Sequence, residues 1–207
     1  MKVLLINGSP HEKGCTYTAL SEVADTLEKN GIGTEIFWIG KQPVSGCIAC
    51  GKCRENGTCV FDDGVNRIAG RMGEFDGMIV GSPVYYASAS GQITSFMDRL
   101  FYVVGGQMKG KPGAAVVSCR RGGASAAFDQ LNKYFSISSM PIVTSQYWNQ
   151  VHGSTPEDVR QDLEGMQTMR TLGMNMAWLL KCIEAGRKAE ICNPVYEPKV
   201  ATDFIRK

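Results

Sequence analysis

Residues 1–16, MKVLLINGSPHEKGCT, set a short apolar run against a loop rich in Gly, Ser and Thr. Val3 to Ile6 reads as a strand, almost continuously apolar, as expected where both faces of a parallel sheet are covered. Beyond the loop, Leu20, Val23, Ala24 and Leu27 recur at i, i+3, i+4 and i+7, which places one apolar stripe on a helix. Lys29-Asn30-Gly31 supplies its stop. A loop of this composition between a strand and a helix start offers backbone N–H groups, hydroxyls and the positive end of a helix dipole, a combination suited to phosphate. It matches neither G-x-G-x-x-G nor G-x-x-x-x-G-K-[ST], which disfavours the dinucleotide and triphosphate fingerprints and leaves a monophosphate as the natural ligand.

Working outward, Thr34 to Ile39, Gly77 to Val80, Ala114 to Ser118 and Ile142 to Tyr147 read as further strands. Helices are expected at about Asp63 to Phe75, Ser90 to Tyr102 and Ala124 to Phe135. This alternation predicts an α/β fold: a doubly wound, five-stranded parallel sheet of order 2-1-3-4-5 with helices on both faces. Ser154-Thr155-Pro156-Glu157-Asp158 gives a cap, a proline for the first turn and acids beside the dipole, so a final helix begins there. It is expected to run to about Ala185, with Gly165 or Gly173 as possible interruptions. The 207 residues suit one domain, with a core over about 1–150 and a C-terminal helix and tail over 151–207.

Lys and Arg total 22 against 20 acidic residues, a balance that implies neither nucleic acid nor an anionic membrane as partner. The initial apolar run is too short for a signal peptide, and no window approaches a transmembrane length. A cytoplasmic location is expected. In a reducing compartment, four of the eight cysteines crowded into residues 47–59 point to a metal or redox centre rather than to structural disulfides.

Two further loops fall at strand ends: Gly81-Ser82-Pro83-Val84-Tyr85-Tyr86-Ala87 after the third strand, and Ser118-Cys119-Arg120-Arg121-Gly122-Gly123 after the fourth. In this strand order the ligand crevice lies at the carboxyl ends of strands one and three, so all three loops should face one site. The set GSPHEKGCT, GSPVYYASASGQITSFMDR and SCRRGG, spread over about residues 1–147, resembles the NADPH-dependent FMN reductase family of the flavodoxin-like superfamily. The resemblance implies that Ser9, His11, Gly14, Cys15 and Thr16 meet the FMN phosphate. It implies too that Pro83, Val84, Tyr85, Tyr86 and Ala87 wrap the isoalloxazine, and that Ser118, Arg120, Arg121, Gly122 and Gly123 cover it. That family commonly carries Arg or Lys at His11 and Asn at Cys15, so at those points the loop would rely on its backbone donors and hydroxyls.

Cys47-x2-Cys50-x2-Cys53-x5-Cys59 lets one short loop present four thiolates to one centre. It resembles the compact motif of iron–sulfur flavoproteins, in which a [4Fe-4S] cluster lies within electron-transfer reach of FMN. A four-thiolate zinc site, or cysteines left free or joined as disulfides, are the alternatives. Cys182 reads as core. With only His11 and His152, and without a G-x-S-x-G elbow, a hydrolase triad is disfavoured.

These features imply an FMN-dependent NAD(P)H oxidoreductase whose site residues bind the cofactor and include no acid or base, because the cofactor carries the chemistry. Arg120 or Arg121 would steer the nicotinamide phosphates. The acceptor is a small molecule or a redox protein, and a homodimer or homotetramer is expected. The alternative is an electron carrier that exchanges electrons with ferredoxin-like partners without its own substrate turnover.

Overall fold

A computed structural model describes residues 1–200 and 202 of the chain. In order, the elements are β1 (Lys2–Asn7), α1 (Cys15–Lys29), β2 (Gly33–Trp38), α2 (Lys52–Asn56), α3 (Gly64–Ala69), β3 (Gly77–Tyr85), β4 (Ser88–Ala89), α4 (Gly91–Val104), β5 (Gly113–Cys119), α5 (Ala124–Ile137), β6 (Gln150–His152), α6 (Pro156–Gln161) and α7 (Leu163–Lys188). The sheet runs β2-β1-β3-β5-β6, all parallel, with β4 folded back antiparallel on β3. Without that hairpin, the five parallel strands stand in the expected order.

The central strands β1, β3 and β5 are mostly apolar because both faces are covered, whereas the edge strands β2 and β6 carry Glu35, Gln150 and His152; in the central strands alternation divides the side chains between two cores. Leu4, Ile6, Met78, Val80, Ala115 and Val117 face α3, α4 and α5. Val3, Leu5, Ile79, Ala114 and Val116 face α1, α6 and α7, where Met166, Met169, Leu172 and Met176 of α7 pack. All these strand residues are fully buried, and burying each of the larger side chains contributes roughly 1.5–3 kcal/mol.

Three expectations need correction. The fifth strand is Gln150–His152, not Ile142 to Tyr147. The earlier segment starts alongside β5, with Ile142 bridging Gly113 and Val143 N donating to Gly113 O at 2.8 Å. It then leaves the sheet, because Thr144 O accepts from Asn175 Nδ2 of α7 at 2.7 Å and Tyr147 N donates to Ser145 Oγ at 3.3 Å in a local turn. The last helix breaks at Asp162, not at a glycine: Asp162 caps α7 through Gly165 N at 2.9 Å and also takes His152 N at 2.7 Å. Gly173 instead lets α7 lie on α1, since a Cβ there would sit 2.7 Å from Thr26 Cβ. Cys182 is exposed, because it falls on the outer side of α7. No helix among the described residues is long and apolar enough to cross a membrane.

Candidate functional site

Three loops meet where β1, β3 and β5 end. Asn7, fully buried, shapes the first: its Nδ2 donates to Glu12 O at 2.9 Å and its Oδ1 accepts from Ser9 N at 3.1 Å. Ser9 Oγ in turn accepts from His11 N at 3.1 Å. Gly8 N donates to Gly81 O at 2.9 Å and Ser90 Oγ donates to Gly8 O at 2.9 Å, tying this loop to both sides of the β3–β4 hairpin. Gly8 is required by that approach, as a Cβ there would lie 2.6 Å from Ile93 Cβ.

Thr16 Oγ1 and Ser118 Oγ share a buried hydrogen bond of 2.8 Å, so residues expected from the first and third loops meet directly. The second and third loops also touch. Gly123, at φ +90, stands so close that a Cβ would lie 2.6 Å from Ala87 Cα. Between β3 and β4, Tyr86 and Ala87 both take positive φ (50 and 59), the geometry of a tight two-residue hairpin built without glycine. Backbone in this region costs about 1–3 kcal/mol per residue and tends to persist at ligand sites. Gln130 Oε1 holds it, accepting from Ser88 Oγ at 2.8 Å and Ala89 N at 3.0 Å. Pro83 and Val84 are half-buried, while Tyr85, Tyr86, Arg120, Arg121 and Gly122 are exposed, and Tyr86 projects fully into solvent.

The helix starts at this end test whether an anionic, flat-ringed cofactor fits. Gly14 and Gly123 precede α1 and α5, and neither helix start has a side-chain cap, as is also true of the short α2 after Gly51, whereas Asp63, Ser90, Thr155 and Asp162 cap α3, α4, α6 and α7. An uncapped helix start leaves N–H donors free for a phosphate. His11 is exposed, and Cys15 Sγ reaches Gly153 O at 3.8 Å, with burial first among the influences that push its thiol pKa up.

The four clustered cysteines line one cavity of about 150 Å³ beside α2 and α4. Cys47 and Cys50 are exposed, Cys53 and Cys59 half-buried, and all are free thiols. Among the described residues no three His, Cys, Asp or Glu groups are gathered tightly enough to hold an ion. The donor set around the cavity is nonetheless thiol alone, with neither carboxylate nor imidazole, which fits a thiolate-ligated centre in kind and number. Asn66 clamps the end of the loop, its Oδ1 accepting from Cys59 N at 2.8 Å and its Nδ2 donating to Cys59 O at 2.9 Å.

Sequence reasoning missed Trp38, Asn7, Gln130 and Arg99. Trp38 Nε1 donates to Ser9 O at 2.8 Å from the end of β2, and an indole closing a strand beside a Gly-rich loop is the signal that could have exposed it. Arg99 is 1 % exposed, and its best clue was the Asp-Arg pair closing the GQITSFMDR run.

The fold and its converging loops define a flavodoxin-like α/β protein with a crevice where three strand-end loops meet and a separate thiol-lined cavity. The chain belongs to the NADPH-dependent FMN reductase family, whose model matches residues 1–154, and within it to the iron–sulfur flavoproteins. It is 35% identical over 192 residues to an iron–sulfur flavoprotein of Methanocaldococcus jannaschii, covering 89% of this chain and 100% of that one. An iron–sulfur flavoprotein of Methanosarcina thermophila is 29% identical over 191 residues, covering 90% of this chain and 99% of the relative. Among solved structures, RosB superposes with a TM-score of 0.68 at 14% identity, covering 100% of this chain and 94% of that one. An archaeal flavodoxin gives 0.59 at 16% identity, covering 87% and 99%. These likenesses show the fold.

Proposed function

We propose that the chain holds FMN across the ends of β1, β3 and β5 and passes electrons from reduced nicotinamide to a small-molecule or protein acceptor. The observation that carries this reading is the meeting of the three loops at Thr16–Ser118, Gly8–Gly81 and Gly123–Ala87, beside two uncapped helix starts. Bound FMN would supply hydride acceptance and release of electrons one at a time. Ser9, Gly14 and Thr16 would orient its phosphate through backbone donors and a hydroxyl, and His11 and Cys15 stand beside them. The Pro83–Ala87 hairpin and Gly122–Gly123 would border the ring. Exposed Arg120 and Arg121 would offer cations to the nicotinamide phosphates.

A [4Fe-4S] centre at Cys47, Cys50, Cys53 and Cys59 would add one-electron delivery. Helix α4 connects the two sites: Ser90, at its start, bonds the phosphate loop, and Arg99 reaches the thiol-lined cavity about 14 Å further along at 1.5 Å per residue. Exposure of Cys47 and Cys50 favours a second reading, an electron carrier whose centre meets a protein partner at the surface. Anaerobic mixing separates the two. Fast flavin bleaching by NADPH or NADH supports the reductase, whereas slow bleaching with fast reduction by a ferredoxin replaces it with the carrier.

A further inference from the structure

Arg99 is the largest fully buried side chain, and every one of its N–H groups faces the cysteine region. Its Nη1 and Nη2 grip Asp63 at 2.7 and 2.9 Å, Nη1 also reaches Ser45 O at 3.2 Å, Nη2 reaches Phe61 O at 3.2 Å, and Nε points at Cys59 Sγ at 3.2 Å. The Phe61 ring lies against the guanidinium, 4.9 Å from its carbon. One rigid side chain on α4 thereby holds both ends of the segment that carries all four cysteines. Burying a cation is costly unless it is paired, and replacing such a pair by apolar residues is often neutral or stabilising. Stability alone is therefore a poor reason for this arrangement. The bidentate carboxylate takes the outer edge of the guanidinium and leaves its Nε edge to sulfur, so the pair forms a dipole with the positive end at Cys59.

We infer that Arg99 is the positioning residue of the Cys47–Cys59 segment and that its dipole with Asp63 sets the reduction potential of a centre held by those thiolates. The inference rests on the cluster reading above. One-electron reduction adds one negative charge to such a centre and makes or breaks no bond, the electron coming in the assay from an added chemical reductant. A cation and an N–H donor at a ligating sulfur stabilise the reduced form, and a carboxylate destabilises it.

Wild type, Arg99→Gln, Arg99→Lys and Asp63→Asn are reconstituted with iron and sulfide without oxygen, assayed for iron per chain, and titrated for cluster potential by electron paramagnetic resonance. Arg99→Gln is expected to shift the potential down, Asp63→Asn to shift it up, and Arg99→Lys to fall between Arg99→Gln and wild type. Without metal, Arg99→Gln should speed proteolysis between residues 45 and 61 several-fold. Asn still caps a helix, so Asp63→Asn retains the cap that Asp63 gives α3 through Val65 N and remains decisive if Arg99→Gln fails to fold. Wild type that loads iron while Asp63→Asn leaves the potential unmoved or lowers it overturns the role of Arg99. Wild type that takes up no iron overturns the cluster reading and this inference with it.

Discussion

The loop proposed to hold phosphate, residues 7–16, and the cysteine loop at residues 40–59 follow adjacent strands, yet they are built in opposite ways. The first is made of backbone: Asn7, Ser9 and Thr16 are buried, Gly8 admits no side chain, and the loop is pinned to β3, β5 and Trp38 by short hydrogen bonds. The second is exposed at Cys47 and Cys50, holds one short helix, and is gathered by Arg99 and Asn66. A rigid backbone cradle suits a ligand bound through N–H donors. An exposed loop held mainly by Arg99 and Asn66 suits a centre bound through its own thiols.

Gly8→Val puts carbon within 2.6 Å of Ile93 Cβ and 2.9 Å of Gly81 O, so about 3 kcal/mol of stability and all flavin binding should be lost, as read by urea unfolding and FMN fluorescence titration. A variant that still binds FMN would contradict a cradle of fixed backbone. Cys59→Ser should abolish iron retention after anaerobic reconstitution and leave FMN affinity unchanged, since no hydrogen bond links Cys59 to the phosphate loop. Coupled loss of both would mean that the two regions fold as one.

Trp38→Phe removes the indole donor to Ser9 O and should weaken FMN binding by about 1 kcal/mol, roughly fivefold, in the same titration. The smallest effect belongs to the edge strand β2, which leads into the cysteine loop. Arg71, by hydrogen bonding, and then Lys2 pull the Glu35 carboxyl from 4.5 down to about 2. A lowered folded value stabilises above about pH 4.5, and that contribution is lost as pH falls toward 2. Because the group is partly exposed, solvent screening limits it to about 0.5 kcal/mol. Urea midpoints of Glu35→Gln should therefore fall below wild type at pH 6, and the gap should narrow below pH 4.5 and close only as pH approaches 2.

The parts legible in the sequence were those governed by periodicity or backbone chemistry. β1, β2, β3 and β5 announce themselves through apolar runs, and the phosphate loop through its Gly, Ser and Thr between a strand and a helix. What escaped depends on side chains that meet across long separations. Asn175, far along α7, draws Thr144 away from the sheet and moves the fifth strand to Gln150–His152. The hairpin at Tyr86 and Ala87 lacks the glycine or asparagine that marks such turns. Arg99 reads as a solvated charge until Asp63 and Cys59 are seen around it. The cysteine spacing was plain, whereas the cation that organises it was not.

Absorbance and iron content of the chain purified without oxygen read both proposed centres at once. Oxidised-flavin bands together with about four irons per chain are expected. Protein that shows no flavin, and takes up none when FMN is added, would contradict the proposed FMN site.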